Sequence, residues 1–173
     1  MTSTRRRFDE VALPHLDAAF NYARWLSGNS AEAEDVVQDA FLRALRYFGS
    51  FRGGDARAWL LAIVRNTFHS RPRAATVSFD ARHHDRPDPE PSPELTLMKG
   101  IEDAAVRSAV EALPPDFREV LVLREFEGMS YKEIAEVTGT PVGTVMSRLA
   151  RARARLAEQI TGVGREEANR GLR

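Results

Sequence analysis

Apolar positions recur at helical spacing through most of the chain, and polar stops divide them into segments. Leu16, Ala19, Phe20, Ala23 and Leu26 fall on one face of a helix that Gly28 ends. A second helix opens after Asn29-Ser30. Glu32, Glu34 and Asp35 lie in its first turn, where the helix dipole favours anions. Its predicted core stripe is Val37, Phe41, Ala44, Leu45 and Phe48. A glycine-rich loop from Gly49 to Asp55 leads to a third helix, capped by Asp55, whose stripe is Ala56, Leu60, Ile63, Val64 and Thr67. No alternating strand pattern competes, so this part of the chain reads as all α.

The later part is helical too. Ile101 to Leu113 predicts one helix, stopped by Pro114-Pro115, and Pro115 to Glu127 a second, ended by Gly128. Ser130-Tyr-Lys-Glu133 is a capping box that starts a third, and Thr140-Pro141 pairs an N-cap with proline at the first position of a fourth. Only a few residues around Gly139 separate the last two, which is helix-turn-helix spacing. Between the two parts the pattern stops. Five of the nine prolines lie between Arg71 and Gly100, and Asp85 to Glu94 reads DRPDPEPSPE with no apolar period. The expected organisation is therefore two small all-α domains, residues 8–71 and 96–160. A flexible, acidic, Pro-rich linker over 72–95 joins them, and a frayed tail occupies 161–173.

Charge alters this picture only locally. Lys+Arg and Asp+Glu are 25 each, which excludes a uniformly basic coat but not a basic face. Such a face exists: from Val137 to Ala157 there are Arg148, Arg151, Arg153 and Arg155 and no acid. With no cysteine there is no disulfide or thiolate metal site. The longest apolar run, Trp59 to Val64, is far short of the roughly 20 residues that span a bilayer. Arg5-Arg6-Arg7 is not followed by the apolar core of a signal peptide, so a cytoplasmic protein is expected. Among His15, His69, His83 and His84 only the last two are adjacent, in the acidic linker, where solvation outweighs metal binding as an expectation. No phosphate-cradling loop or nucleophile constellation is visible, so neither an enzyme nor a cofactor is expected.

The helix-turn-helix reading is chemically specific. Ala135, Gly139 and Val145 supply the small crossing residue, the turn glycine and an apolar anchor, with Ile134, Val142 and Leu149 expected in the core. The second helix then presents Thr144, Met146, Ser147, Arg148, Ala150, Arg151 and Arg155 outward. Arginine reads guanine edges and binds phosphates, while small residues permit close approach to bases. This points to the second helix in a major groove. The alternative is an αα-hairpin merely solvated by arginine. Solvated helices interleave acids with bases, and this one does not.

These residues carry a family resemblance. Met129 to Leu156, MSYKEIAEVTGTPVGTVMSRLARARARL, with Leu113 to Gly128 before it, resembles the promoter-binding C-terminal domain of extracytoplasmic-function sigma factors. Independently, Ala31 to Leu45, AEAEDVVQDAFLRAL, resembles the family's polymerase-binding helix, and Asp55 to Phe68, DARAWLLAIVRNTF, its helix for the minus-ten element.

The resemblance implies an alternative sigma factor that binds core RNA polymerase through the clamp of the largest subunits and directs initiation at promoter DNA. Polymerase contact is assigned to Asp35, Gln38, Asp39, Leu42 and Arg43, whose spacing puts them on one face. Minus-ten DNA is assigned to Phe51, Arg52, Arg57, Arg65 and Asn66, which include three cations and one aromatic of the kind that grip single strands. Minus-thirty-five DNA is assigned to the outward residues of the last helix together with Lys132. An anti-sigma factor is a family-level expectation. Asp80, Asp85, Asp88, Glu90 and Glu94 would give the linker an RNA-like charge. The stretch TFHSRPRA after Asn66 lacks the longer basic run of many relatives. The rival reading is a sigma mimic that sequesters an anti-sigma factor; it leaves the arginine-rich face unexplained. A plain helix-turn-helix regulator leaves the first lobe unexplained.

Overall fold

The computed structural model describes residues 3–72 and 104–170, with side chains to residue 162. The linker residues beyond Pro72, including the His83-His84 pair and the five acids, lie outside the described residues. Eight α-helices make up the described fold: α1 (Ser3–Ala12), α2 (Leu16–Ser27), α3 (Ser30–Tyr47), α4 (Ala56–Ser70), α5 (Ala104–Glu111), α6 (Pro115–Glu125), α7 (Tyr131–Thr138) and α8 (Val142–Arg170). Short 3-10 turns at Leu13–His15 and Phe48–Ser50 join α1 to α2 and continue α3.

The helix starts follow from local chemistry. Asn29 accepts from the Glu32 N–H at 2.7 Å and Asp55 from the Ala58 N–H at 3.0 Å, each satisfying a donor with no partner inside the helix. Ser130 and Glu133 bond reciprocally as a full capping box. Gly28 and Gly139 end α2 and α7 in the left-handed conformation that other residues avoid.

In the first lobe α2, α3 and α4 pack pairwise. Ala19, Ala23, Ala33, Ala40 and Ala44 are fully buried and small, so the helices approach closely, and Tyr22, Leu60, Leu61 and Val64 fill the remaining space. In the second lobe α8 packs on α5, α6 and α7. Ile134, Val145, Leu149 and Ala152 are buried there.

The lobes themselves join. One continuous apolar cluster includes Ala23, Leu60 and Val64 of the first lobe and Val120, Leu123, Met129 and Ile134 of the second. Trp25 of α2 is buried among Val110, Leu113, Leu121, Val122 and Ala152, and its ring stacks on Phe126 at 5.6 Å.

Three expectations need correction. The first lobe begins at Ser3 rather than residue 8: α1 buries Phe8 and Ala12, two core residues too few to show a period. The tail from residue 161 is helical to Arg170, since extending a docked helix avoids the cost of nucleating one. Val142 is not core. It is the first residue of α8, one turn before Val145, and is 41% exposed where the helix end has few neighbours.

Candidate nucleic-acid and partner interfaces

Three surfaces hold the residues singled out in the sequence. On α3, Asp35, Gln38, Asp39, Leu42 and Arg43 are all exposed and share one face, because their i, i+3, i+4, i+7 and i+8 spacing opposes the buried Ala33, Val36, Val37, Ala40 and Ala44. Leu42, 62% exposed, stands among charged groups, the composition of a partner surface with an apolar anchor and a polar rim. Arg71, just past α4, reaches this face: its guanidinium donates to Asp39 at 3.1 Å and lies 3.9 Å from Asp35. Arg43 donates to the Ser70 hydroxyl at 3.0 Å. The end of α4 is thereby tied to the α3 surface.

The second surface is α8 with the start of α7. Met146, Ser147, Ala150 and Arg151 are exposed, Thr144 is half-buried, and Lys132 of α7 is exposed. The arginines of α8 divide by direction. Arg148 pairs with Asp116 at 3.4 Å, Arg153 with Glu125 at 2.6 Å, and Arg155 lies over the Phe117 ring, with its guanidinium carbon 5.2 Å from the centroid. These three lean on α6. The Glu125 hydrogen bond holds Arg153 above the usual guanidinium range. Arg151 has no such contact among the described residues and stands on the exposed face with Ser147 and Ala150.

The third surface is the loop before α4 and α4 itself. Phe51 stacks with Phe48 at 6.0 Å and tilts against Trp59 at 4.9 Å, forming an aromatic cluster of which Phe48 is the buried member. Arg52 and Asn66 are exposed. Arg57 and Arg65 turn toward the second lobe instead. Arg57 donates to the Glu127 carbonyl at 2.7 Å and lies 3.9 Å from Glu133. Arg65 donates from Nε to Glu119 at 2.7 Å, and the same Glu119 oxygen accepts from the Tyr22 hydroxyl.

The sequence does not predict this polar knot. Tyr22 and Glu119 are single polar residues 97 positions apart, and no local pattern links them. Glu119 is only 5% exposed, so its carboxylate depends on these two donors. Burial, reinforced by the Glu119 charge, pushes the Tyr22 phenol well above its ordinary value. For Arg65 burial acts downward, but the Glu119 hydrogen bond and charge prevail and leave it raised. Beside the knot, burial raises the Glu127 carboxyl against the opposing charge of Arg57.

Among the described residues no group of His, Asp and Glu is arranged to hold a metal, and no helix is long and apolar enough to cross a membrane.

Residues 12–76 match Sigma-70 region 2, and residues 103–156 match Sigma-70, region 4. The chain is 36% identical over 175 residues to the RNA polymerase sigma-H factor of Pseudomonas aeruginosa, covering 94% of this chain and 90% of that protein. It is 34% identical over 165 residues to the ECF RNA polymerase sigma factor SigE of Mycolicibacterium smegmatis, covering 93% of this chain but 64% of that longer protein. Among solved structures it resembles the sigma factor RpoE of Bartonella quintana, crystallised with the anti-sigma factor NepR. The identity is 30% and the TM-score 0.72, with 90% of this chain and 98% of that chain covered.

Proposed function

The chain belongs to the extracytoplasmic-function RNA polymerase sigma factors, and we propose how its surfaces divide the work of promoter-specific initiation. It acts in the cytoplasm. The α3 face of Asp35, Gln38, Asp39, Leu42 and Arg43 docks on the polymerase clamp, with Leu42 as anchor. The second lobe, residues 96–160, lays α8 in the major groove of the minus-thirty-five element. There Ser147, Ala150 and Arg151 approach the bases, while Thr144, Met146, Arg148, Arg155 and Lys132 border the groove or its phosphates.

The loop before α4 and α4 itself hold melted minus-ten DNA through the exposed Arg52 and Asn66 together with Phe51, Arg57 and Arg65. The chemistry of RNA synthesis belongs to the polymerase. Two weak DNA contacts on one chain reinforce each other through effective concentration. An anti-sigma factor is the expected regulator, as with the Bartonella relative.

The observation that carries this reading is the coexistence of two surfaces on one chain: an exposed α3 face built for a protein partner and an exposed α8 face suited to bases. A mimic that only sequesters an anti-sigma factor has no use for the second. The direct test is assembly. The chain mixed with core RNA polymerase should co-elute with it, and the complex should retain a promoter duplex that neither component retains alone. Co-elution without promoter retention would favour the mimic.

A further inference from the structure

Helix α8 turns two adjacent rows of side chains to solvent, away from the buried Val145, Leu149 and Ala152. Gly143, Ser147 and Arg151 form one row; Val142, Met146 and Ala150 form the other, each at i, i+4 and i+8 spacing. The second row carries no charge and no side-chain hydrogen-bond donor, and its large members, Val142 and Met146, are both exposed. The leading end of α8 has little else to offer a hydrogen-bonding partner. The Ser147 hydroxyl donates back to the Thr144 carbonyl at 3.0 Å, Thr144 is half-buried, and Arg148 pairs with Asp116. Gly143 points the same way. A Cβ there would meet nothing within 4 Å, so packing inside the chain does not require glycine, which weakens a helix relative to alanine. An exposed helical glycine with open space around it suits the close approach of an outside surface.

We propose that Val142 and Met146 read the C5-methyl group of thymine in the minus-thirty-five element. This rests on α8 lying in the major groove, as proposed above. The second helix of a helix-turn-helix contacts base edges with its N-terminal residues. In that groove the thymine methyl is the apolar group a base pair displays. A charged or amide side chain at position 146 would select a donor–acceptor pattern. A thioether and a branched aliphatic group cannot do so, and they gain by covering a methyl. Recognition is thereby divided along α8. Apolar contact falls at the leading end, and hydrogen bonding by Arg151 falls roughly 7.5 Å beyond Met146 along the axis, about two base-pair steps.

Deoxyuridine tests this, because it differs from thymidine only by that methyl. The full chain assembled with core polymerase is bound to a promoter duplex taken from its own transcription starts. Each thymine of the minus-thirty-five motif, on either strand, is replaced singly by uracil. At one or two positions the replacement should weaken wild-type binding about fourfold, the loss of one buried methyl. Val142→Ser combined with Met146→Ser should bind the thymine and uracil duplexes equally at those positions, while still distinguishing the base that Arg151 reads. Met146→Leu alone, which keeps an apolar side chain, should retain the discrimination. Both positions are exposed, so circular dichroism should show wild-type helix content in each variant.

Wild-type binding that is indifferent to uracil at every position overturns the proposal, as does discrimination that survives in the double variant. Loss of co-elution with core polymerase by the double variant also overturns it, by making the apolar row a protein contact. A wild-type complex that retains no promoter duplex at all refutes the function proposed above, and this reading with it.

Discussion

Arg65 of α4 donates its Nε proton to Glu119 of α6 at 2.7 Å, joining residues 54 positions apart. A cation of the kind that binds nucleic acid is thus held by a carboxylate of the same chain, and that carboxylate is nearly inaccessible to water. The contact ties stability and the packing of the two lobes to one side chain.

Removing Glu119 strands both of its donors. Glu119→Ala should destabilise the protein by about 3 kcal/mol, the low end for breaking a buried ion pair by deleting one partner. Urea unfolding followed by circular dichroism measures this. Glu119→Gln, which keeps an acceptor, should cost less. Equal stability of wild type and Glu119→Ala would mean that the knot contributes nothing to the fold.

Tyr22 gives an alkaline signature. Folding raises its phenol, through burial first and the Glu119 charge second. The associated stability is fully present below the ordinary phenol pKa. It is lost as the pH climbs above that value, because the unfolded chain ionises first. Ultraviolet titration of the three tyrosines should show one that ionises late, together with unfolding, and Tyr22→Phe should remove that late component.

The arginines of α8 should separate by direction. Arg151→Ala should cost about 1–3 kcal/mol of minus-thirty-five affinity and relax preference at one base position. Arg153→Ala should leave base preference unchanged, because that side chain is committed to Glu125. Binding to a set of single-base promoter variants resolves the two. A uniform loss across all variants for Arg151→Ala would make it a phosphate contact only.

The α3 face should be separable from the fold. Asp39→Arg combined with Leu42→Ala changes two exposed positions, so the helical content should stay at the wild-type level while co-elution with core polymerase is lost. Retained co-elution would remove polymerase docking from this face.

What could be read from the sequence was local. Asn29, Asp55 and Ser130 announced helix starts because a cap needs only a neighbour three residues on. The exposed face of α3 and the turn at Gly139 likewise follow from spacing within one element. Helix α1 is not legible in the sequence because only Phe8 and Ala12 mark its buried side. Val142 lies outside the core despite its spacing, because periodicity says which side a residue faces, not whether anything covers that end of the helix. The chemistry of Arg57 and Arg65 is legible, but their partners depend on how the two lobes meet, and spacing within α4 carries no information about that. Trp25 shows the same limit: its burial comes from helices more than 80 residues away along the chain, as with Val110 at ~85 positions.

A sigma factor tells RNA polymerase where to start, and that activity can be read directly. Purified protein should be added to core RNA polymerase on host genomic DNA, and the 5′ ends of the transcripts sequenced. The predicted result is a new set of starts that share two short upstream motifs at a fixed spacing, absent when the chain is omitted. No new starts, from core enzyme shown to be active and chain shown to be folded, would contradict it.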